Sequence, residues 1–151
     1  MNNEVVLRRM TAGDIPGAVE IEQKCFSMPW SEKAFADSLA LDYSVFFVAS
    51  IDEKIVGYVG LYIAYDEGDI TNVAVLPEYR RKGIATSLLE KIVIDAKEKN
   101  LVAINLEVRK SNKSAIALYE KNGFVDLGHR KNFYEKPTED AVIMKRQLES
   151  R

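Results

Sequence analysis

Arg80-Arg81-Lys82-Gly83-Ile84-Ala85-Thr86 combines a run of cations, a glycine and the first residues of a helix-type apolar pattern. The first N–H groups of a helix lack intrahelical partners and carry partial positive charge, so a loop entering a helix can bind phosphate. Gly83 and Ala85 leave the backbone bare enough for close approach, Arg81 and Lys82 add charge, and Thr86 adds a hydroxyl. Neither G-x-x-x-x-G-K-[ST] nor G-x-G-x-x-G is present. On these residues alone, a solvated basic loop before an ordinary helix reads the same way. A second pair suits proton transfer. Glu107, between Leu106 and Val108, can accept a proton; Tyr119, at the end of Ala115-Ile116-Ala117-Leu118-Tyr119, can return one. Asn112 and Tyr119 are seven residues apart, within about 20° of two whole helical turns, and so project from one side of a helix. Against this stands the ordinary role of each type: a lone strand glutamate facing solvent, and a tyrosine packed in a core.

The elements that must hold these residues are legible from period and punctuation. Val5-Val6-Leu7 is a short strand, and Thr11 or Asp14 opens a helix carrying Ile15, Ala18, Val19, Cys25 and Phe26. Pro29-Trp30-Ser31 breaks the chain before a short helix towards Leu41. Val45 to Ile51 is almost unbrokenly apolar, as in a strand covered on both faces. Asp52-Glu53-Lys54 turns it into a hairpin partner, Ile55 to Tyr65, and a further strand runs from about Asp69 to Val75. From Ile84 to Asn100 the period changes: Ile84, Ala85, Leu88, Leu89, Ile92, Val93 and Ala96 form one stripe. Ala103 to Val108 is a strand, Asn112 to Asn122 a helix closed by Gly123, and two strands near Phe124–His129 and Ala141–Arg146 finish the chain. The fold class is α/β, a central mixed β-sheet flanked by helices, in the order β-α-α-β-β-β-α-β-α-β-β. The crossover from Ile70 to Val108 should be parallel and right-handed.

Composition narrows the functional classes. The 151 residues fit one domain spanning 1–151, large enough to bury roughly two-thirds of its unfolded surface. A net charge of −2 gives no global attraction to nucleic acid or an anionic membrane. The one cysteine, Cys25, cannot close an internal disulfide, and no Cys/His cluster suits a metal. No leader pattern follows Met1-Asn2-Asn3-Glu4, and no apolar run nears the roughly 18 residues of a membrane span, so the cytoplasm is expected. His129, the sole histidine, has no evident acidic partner and reads as a surface residue.

Arg80-x-x-Gly83-x-Ala85, after Asn72-Val73-Ala74-Val75 and Pro77, resembles the coenzyme A signature Q/R-x-x-G-x-G/A of the GCN5-related N-acetyltransferases. The element order matches that fold over nearly the whole chain. The resemblance implies acetyl-coenzyme A as co-substrate. Its pyrophosphate would lie on the loop amides of Arg81, Lys82, Gly83, Ile84, Ala85 and Thr86, and its pantetheine arm along the strand at Val73, Ala74 and Val75. Ala85 stands where glycine is commoner, leaving less room at that amide. Acetyl transfer to an amine needs a proton removed from the nucleophile and one given to the leaving thiolate. A phenol near pKa ~10 is close enough to a thiol near ~8.5 to supply the second. No covalent intermediate is required, so Cys25 is not needed as a nucleophile.

The run L-E-V-R-x-S-N-x-x-A-I-x-L-Y-x-x-x-G-F, from Leu106 to Phe124, is similar to the ribosomal-protein-alanine N-acetyltransferases. So are Ile21-Glu22, Pro29-Trp30-Ser31 and Asn132-Phe133-Tyr134. That resemblance implies Glu107 as general base, Tyr119 as general acid and Asn112 as a cofactor contact. The acceptor it implies is a protein N-terminus, the N-terminal alanine of a small-subunit ribosomal protein. A lysine or small-molecule acetyltransferase on the same fold remains an alternative, and so does a non-catalytic module using the basic loop. Trp30 can line an acceptor cleft or plug the core over the first helix, and Tyr134 can cover an acceptor peptide.

Overall fold

The computed structural model describes residues 4–148. Met1–Asn3, where no leader pattern is expected, and residues 149–151, the end of the expected domain, lie outside them. Seven strands form one sheet: β1 Val5–Arg9, β2 Ser44–Ile51, β3 Lys54–Ala64, β4 Glu67–Val75, β5 Ala103–Arg109, β6 Val125–Tyr134 and β7 Glu139–Gln147. Their spatial order is β1-β2-β3-β4-β5-β7-β6. Only β4 and β5 pair in parallel; every other neighbouring pair is antiparallel. Four helices complete the chain: α1 Ile15–Cys25, α2 Glu32–Leu39, α3 Ile84–Glu98 and α4 Lys113–Lys121. The mixed sheet, the parallel step across α3 and the element order agree with the sequence reading.

Two helices clothe opposite faces of the sheet centre. On β3, Tyr58 points to Glu22 of α1, while a Cβ on its neighbour Gly57 would meet Leu88 of α3. Successive strand residues face opposite ways, so α1 and α3 lie on the two sides. β2 is consequently buried along nearly its whole length. Asp52 and Glu53 both take positive φ, 51° and 68°, the two-residue turn whose twist suits a hairpin.

Three of the boundaries that differ from expectation have a visible structural cause. A 3-10 turn, Ala12–Asp14, precedes α1. It is held by the Asp14 carboxylate, which accepts from Thr11 N at 2.8 Å and from both Arg8 Nη atoms at 2.8 Å. α2 stops at Leu39 rather than Leu41, because the Ser44 hydroxyl donates to the carbonyls of Ser38 (2.7 Å) and Leu41 (2.9 Å). β6 continues past His129 to Tyr134, where it still pairs with Glu139 across a register irregularity. As an edge strand it leaves Val125 and Leu127 exposed, so its pattern lacks the alternation that marks a half-buried strand.

Candidate active site

A break in the sheet makes the site. β4 and β5 pair only through Glu67↔Ala103, Gly68↔Ile104 and Asp69↔Asn105. Beyond that point they diverge, so the β5-facing edge of β4 from Thr71 to Val75 has no strand partner. Asn105 secures the vertex by donating to Glu67 (2.8 Å) and Asp69 (3.2 Å). Two cavities open from the split, of about 610 Å³ and about 760 Å³. Cys25, Phe26, Val73, Asn112, Ala115 and Tyr119 line both and therefore stand at their junction.

The larger cavity holds the basic loop. Val73, Ala74 and Val75 line it, with Arg81, Gly83, Ile84, Ala85 and Thr86. Gly83 precedes the first turn of α3 with φ 76° and ψ 10°, a left-handed conformation that favours glycine. No side chain caps the helix there, and a Cβ on Gly83 would meet nothing within 4 Å. The first-turn amides of α3 thus face open space, as an anion site requires. Arg80 braces the loop: its Nε donates to the Val75 carbonyl at 3.1 Å and its Nη2 to Cys25 Sγ at 3.4 Å. That carbonyl is hence already engaged by the loop. Lys82 is exposed and lines neither cavity. Asn112 spends its carboxamide oxygen on capping α4 at Ala115 N (3.2 Å), leaving its nitrogen as the group able to reach a ligand.

The smaller cavity holds the titratable groups. Glu107 and Arg109 alternate with buried Leu106 and Val108, so the two polar side chains share the open face of β5. Glu107 lines this cavity and not the other, with its carboxylate 3.8 Å from Arg130. Tyr119 is 7% exposed and packs edge-on against Phe124 at 5.8 Å. Its hydroxyl has no hydrogen-bond partner among the described residues, yet only Thr71 Oγ1 is a fully buried orphan there, so the phenol tip reaches the cavity. Burial, and next the nearby Tyr134 oxygen, push the Tyr119 phenol up from its ordinary value. Burial, followed by the Glu107 charge, pushes Tyr134 up to about 12. Both phenols keep their protons near neutral pH.

Trp30 packs against Phe35 (5.1 Å) and Phe46 (6.2 Å) and also lines the smaller cavity. Tyr134 lines the same cavity. His129 is exposed, with Asp126 4.0 Å away, and belongs to neither cavity. Burial pushes the Cys25 thiol up, which disfavours the thiolate. Among the described residues no cluster of His, Cys, Asp or Glu is arranged to hold a metal, and no helix is long and apolar enough to cross a membrane.

Sequence reasoning assigned no role to Glu22. It is fully buried in the wall of the smaller cavity, accepting from Trp30 N (2.9 Å), Asn72 Nδ2 (3.0 Å) and the Tyr58 hydroxyl. Burial pushes its carboxyl up, against these donors, which pull it down. The signal was available: Glu22 follows Ala18 by four residues, on the apolar stripe of α1, where a carboxylate requires partners.

A split parallel pair, an uncapped helix start beside it and a carboxylate facing the second cavity define an acetyl-transfer fold. Residues 15–124 match the Acetyltransferase (GNAT) family, and the chain belongs to it. Members of that family take acetyl-coenzyme A as donor, and this chain is an N-acetyltransferase.

Relatives sharpen the class. The chain is 38% identical, over 135 residues, to the [Ribosomal protein bS18]-alanine N-acetyltransferase of Escherichia coli (strain K12), covering 87% of this chain and 89% of the relative. It is 35% identical over 142 residues to the enzyme of that description from Haemophilus influenzae, covering 92% and 96%. Among solved structures, the ribosomal-protein-S18-alanine N-acetyltransferase from Escherichia coli superposes with a TM-score of 0.91 at 33% identity, covering 98% of this chain and 96% of that one. Ard1 from Thermoplasma volcanium gives 0.89 at 25% identity, covering 97% and 99%.

Proposed function

We propose that this protein acetylates the N-terminal α-amine of a protein, the N-terminal alanine of the ribosomal protein its relatives are named for. The observation that carries the reading is the junction of the two cavities. The larger one, with its uncapped helix start, suits the pyrophosphate and pantetheine of acetyl-coenzyme A, which supplies the activated acetyl group. The smaller one, open to Glu107, receives the acceptor amine. Glu107 takes the proton, directly or through water, and Tyr119 at the junction gives one to the departing sulfur. An α-amine, with pKa about 7.7–8.0 against ~10.4 for lysine, is already partly neutral near pH 7.5, so one carboxylate suffices.

The deciding experiment compares a peptide beginning in alanine with the same peptide carrying a blocked N-terminus and an internal lysine. Turnover should be confined to the free N-terminus. Comparable acetylation of the blocked peptide overturns the reading in favour of lysine.

The donor side has its own test. Gly83→Asp should weaken coenzyme A binding at least tenfold, ~1.4 kcal/mol, by setting a carboxylate beside the phosphates. Gly83→Asn, similar in shape and tolerant of positive φ, should lose less. Calorimetric titration of the two variants separates charge from backbone conformation; wild-type affinity in Gly83→Asp would put the phosphates elsewhere.

A further inference from the structure

We infer that Arg109 is a positioning residue that holds the β6–β7 connection in place as one wall of the acceptor cavity, and so governs acceptor affinity. The inference rests on the reading that the smaller cavity takes the acceptor. Arg109 is two residues beyond Glu107 on β5, on the same face, and its side chain is only 25% exposed. Its guanidinium reaches across to the connection at several points. Nη2 donates to the Glu135 carbonyl at 2.7 Å, and Nη1 donates to the Pro137 carbonyl at 2.9 Å and to Glu139 Oε1 at 3.2 Å. Its Cζ lies 4.6 Å from the centre of the Tyr134 ring, within cation–π range. Glu139 extends the bracket by accepting from Ser111 N at 2.6 Å, just past the end of β5.

These partners are what fixes the segment. β6 and β7 pair at Tyr134↔Glu139, and the residues between form the turn that Arg109 spans. Phe133, Tyr134 and Glu135 line the smaller cavity together with Phe26, Met28 and Trp30, and none of the first three lines the larger one. Moving the connection therefore reshapes the acceptor side and leaves the cofactor side alone. The task needs a planar fork. Two carbonyls, a carboxylate and a ring face are engaged by one guanidinium; a lysine ammonium, a compact point charge, cannot reach them together.

The test uses Arg109→Lys and Arg109→Ala in the full chain, measuring acceptor-peptide KM, kcat, coenzyme A affinity and amide hydrogen exchange across 134–139. Both variants should raise the acceptor KM about tenfold or more. Coenzyme A affinity should stay within about twofold, and exchange should quicken at 134–139 but not in β5. A purely structural arginine would lower the melting temperature without this split between the two substrates. Wild-type KM in Arg109→Lys would show that positive charge alone suffices and would overturn the clamp, as would unchanged exchange in either variant. Should Arg109→Ala not fold, Arg109→Lys decides. If the wild-type protein acetylates no N-terminal peptide, the functional reading fails, while the exchange data still judge whether Arg109 holds the connection.

Discussion

Glu107→Gln should lower kcat on an N-terminal peptide by ~10²–10⁴, the range of a lost general base. The amide keeps the shape and volume of the carboxylate but cannot take up a proton from the acceptor. Glu107 lines the smaller cavity and not the larger, so under the proposed reading coenzyme A affinity should hardly change. Its ion pair with Arg130, at 3.8 Å between two partly exposed groups, contributes little to stability, and the variant should fold normally. The defect should shrink above pH ~8, where most α-amine is already neutral. Stopped-flow or discontinuous assays from pH 6.5 to 9.5 give the comparison. Wild-type kcat at pH 7 would remove Glu107 as the base and turn attention to Glu22, the buried one of the three glutamates that line that cavity.

Tyr119→Phe should lower kcat ~10²-fold or more while shifting the melting temperature by only a few degrees. The ring and its edge-on contact with Phe124 remain. The hydroxyl has no hydrogen-bond partner among the described residues, so its removal leaves none of their buried groups orphaned. The phenol is held above its ordinary pKa by burial, which by itself makes it a weaker acid. A thiolate released into the same poorly solvated junction is also destabilised, and its affinity for a proton rises in parallel. The two effects act in the same direction on donor and acceptor, so burial of the phenol does not by itself exclude the transfer. Normal turnover in the variant would make Tyr119 a packing residue, since a buried ring contributes mainly through apolar area. Because Tyr119 lines both cavities, kcat with a pre-acetylated donor analogue and cofactor affinity should be measured together.

Much of the scaffold was legible because it depends on local patterns. The stripe from Ile84 to Ala96 has the helical period, and all of its residues but the half-buried Ala85 are the ones α3 buries. The continuous apolar run of β2 announced a strand covered on both faces. Gly83 before a helix start, and Asn112 as the cap of α4, follow from backbone chemistry that a few neighbouring residues determine. The edge strand β6 was underestimated because its continuation to Tyr134 is decided by pairing with β7 rather than by any pattern of its own.

The site divides along the same line. Sequence by itself nominated the residues proposed to carry the chemistry: the basic loop, Glu107, Asn112 and Tyr119, by type, spacing and resemblance. Tertiary structure decided where each one lies. The separation of β4 from β5 after Asp69 opens both cavities, and strand pairing is a tertiary property that no single residue's propensity fixes. Only the folded chain brings Glu22 under Trp30 and Tyr58, and Arg109 under the connection at Glu135 and Pro137. The partners of those two charges lie eight to fifty residues away along the chain. A one-dimensional pattern can show that a charge lies on a buried or functional face; which distant groups satisfy it is a property of the packed molecule.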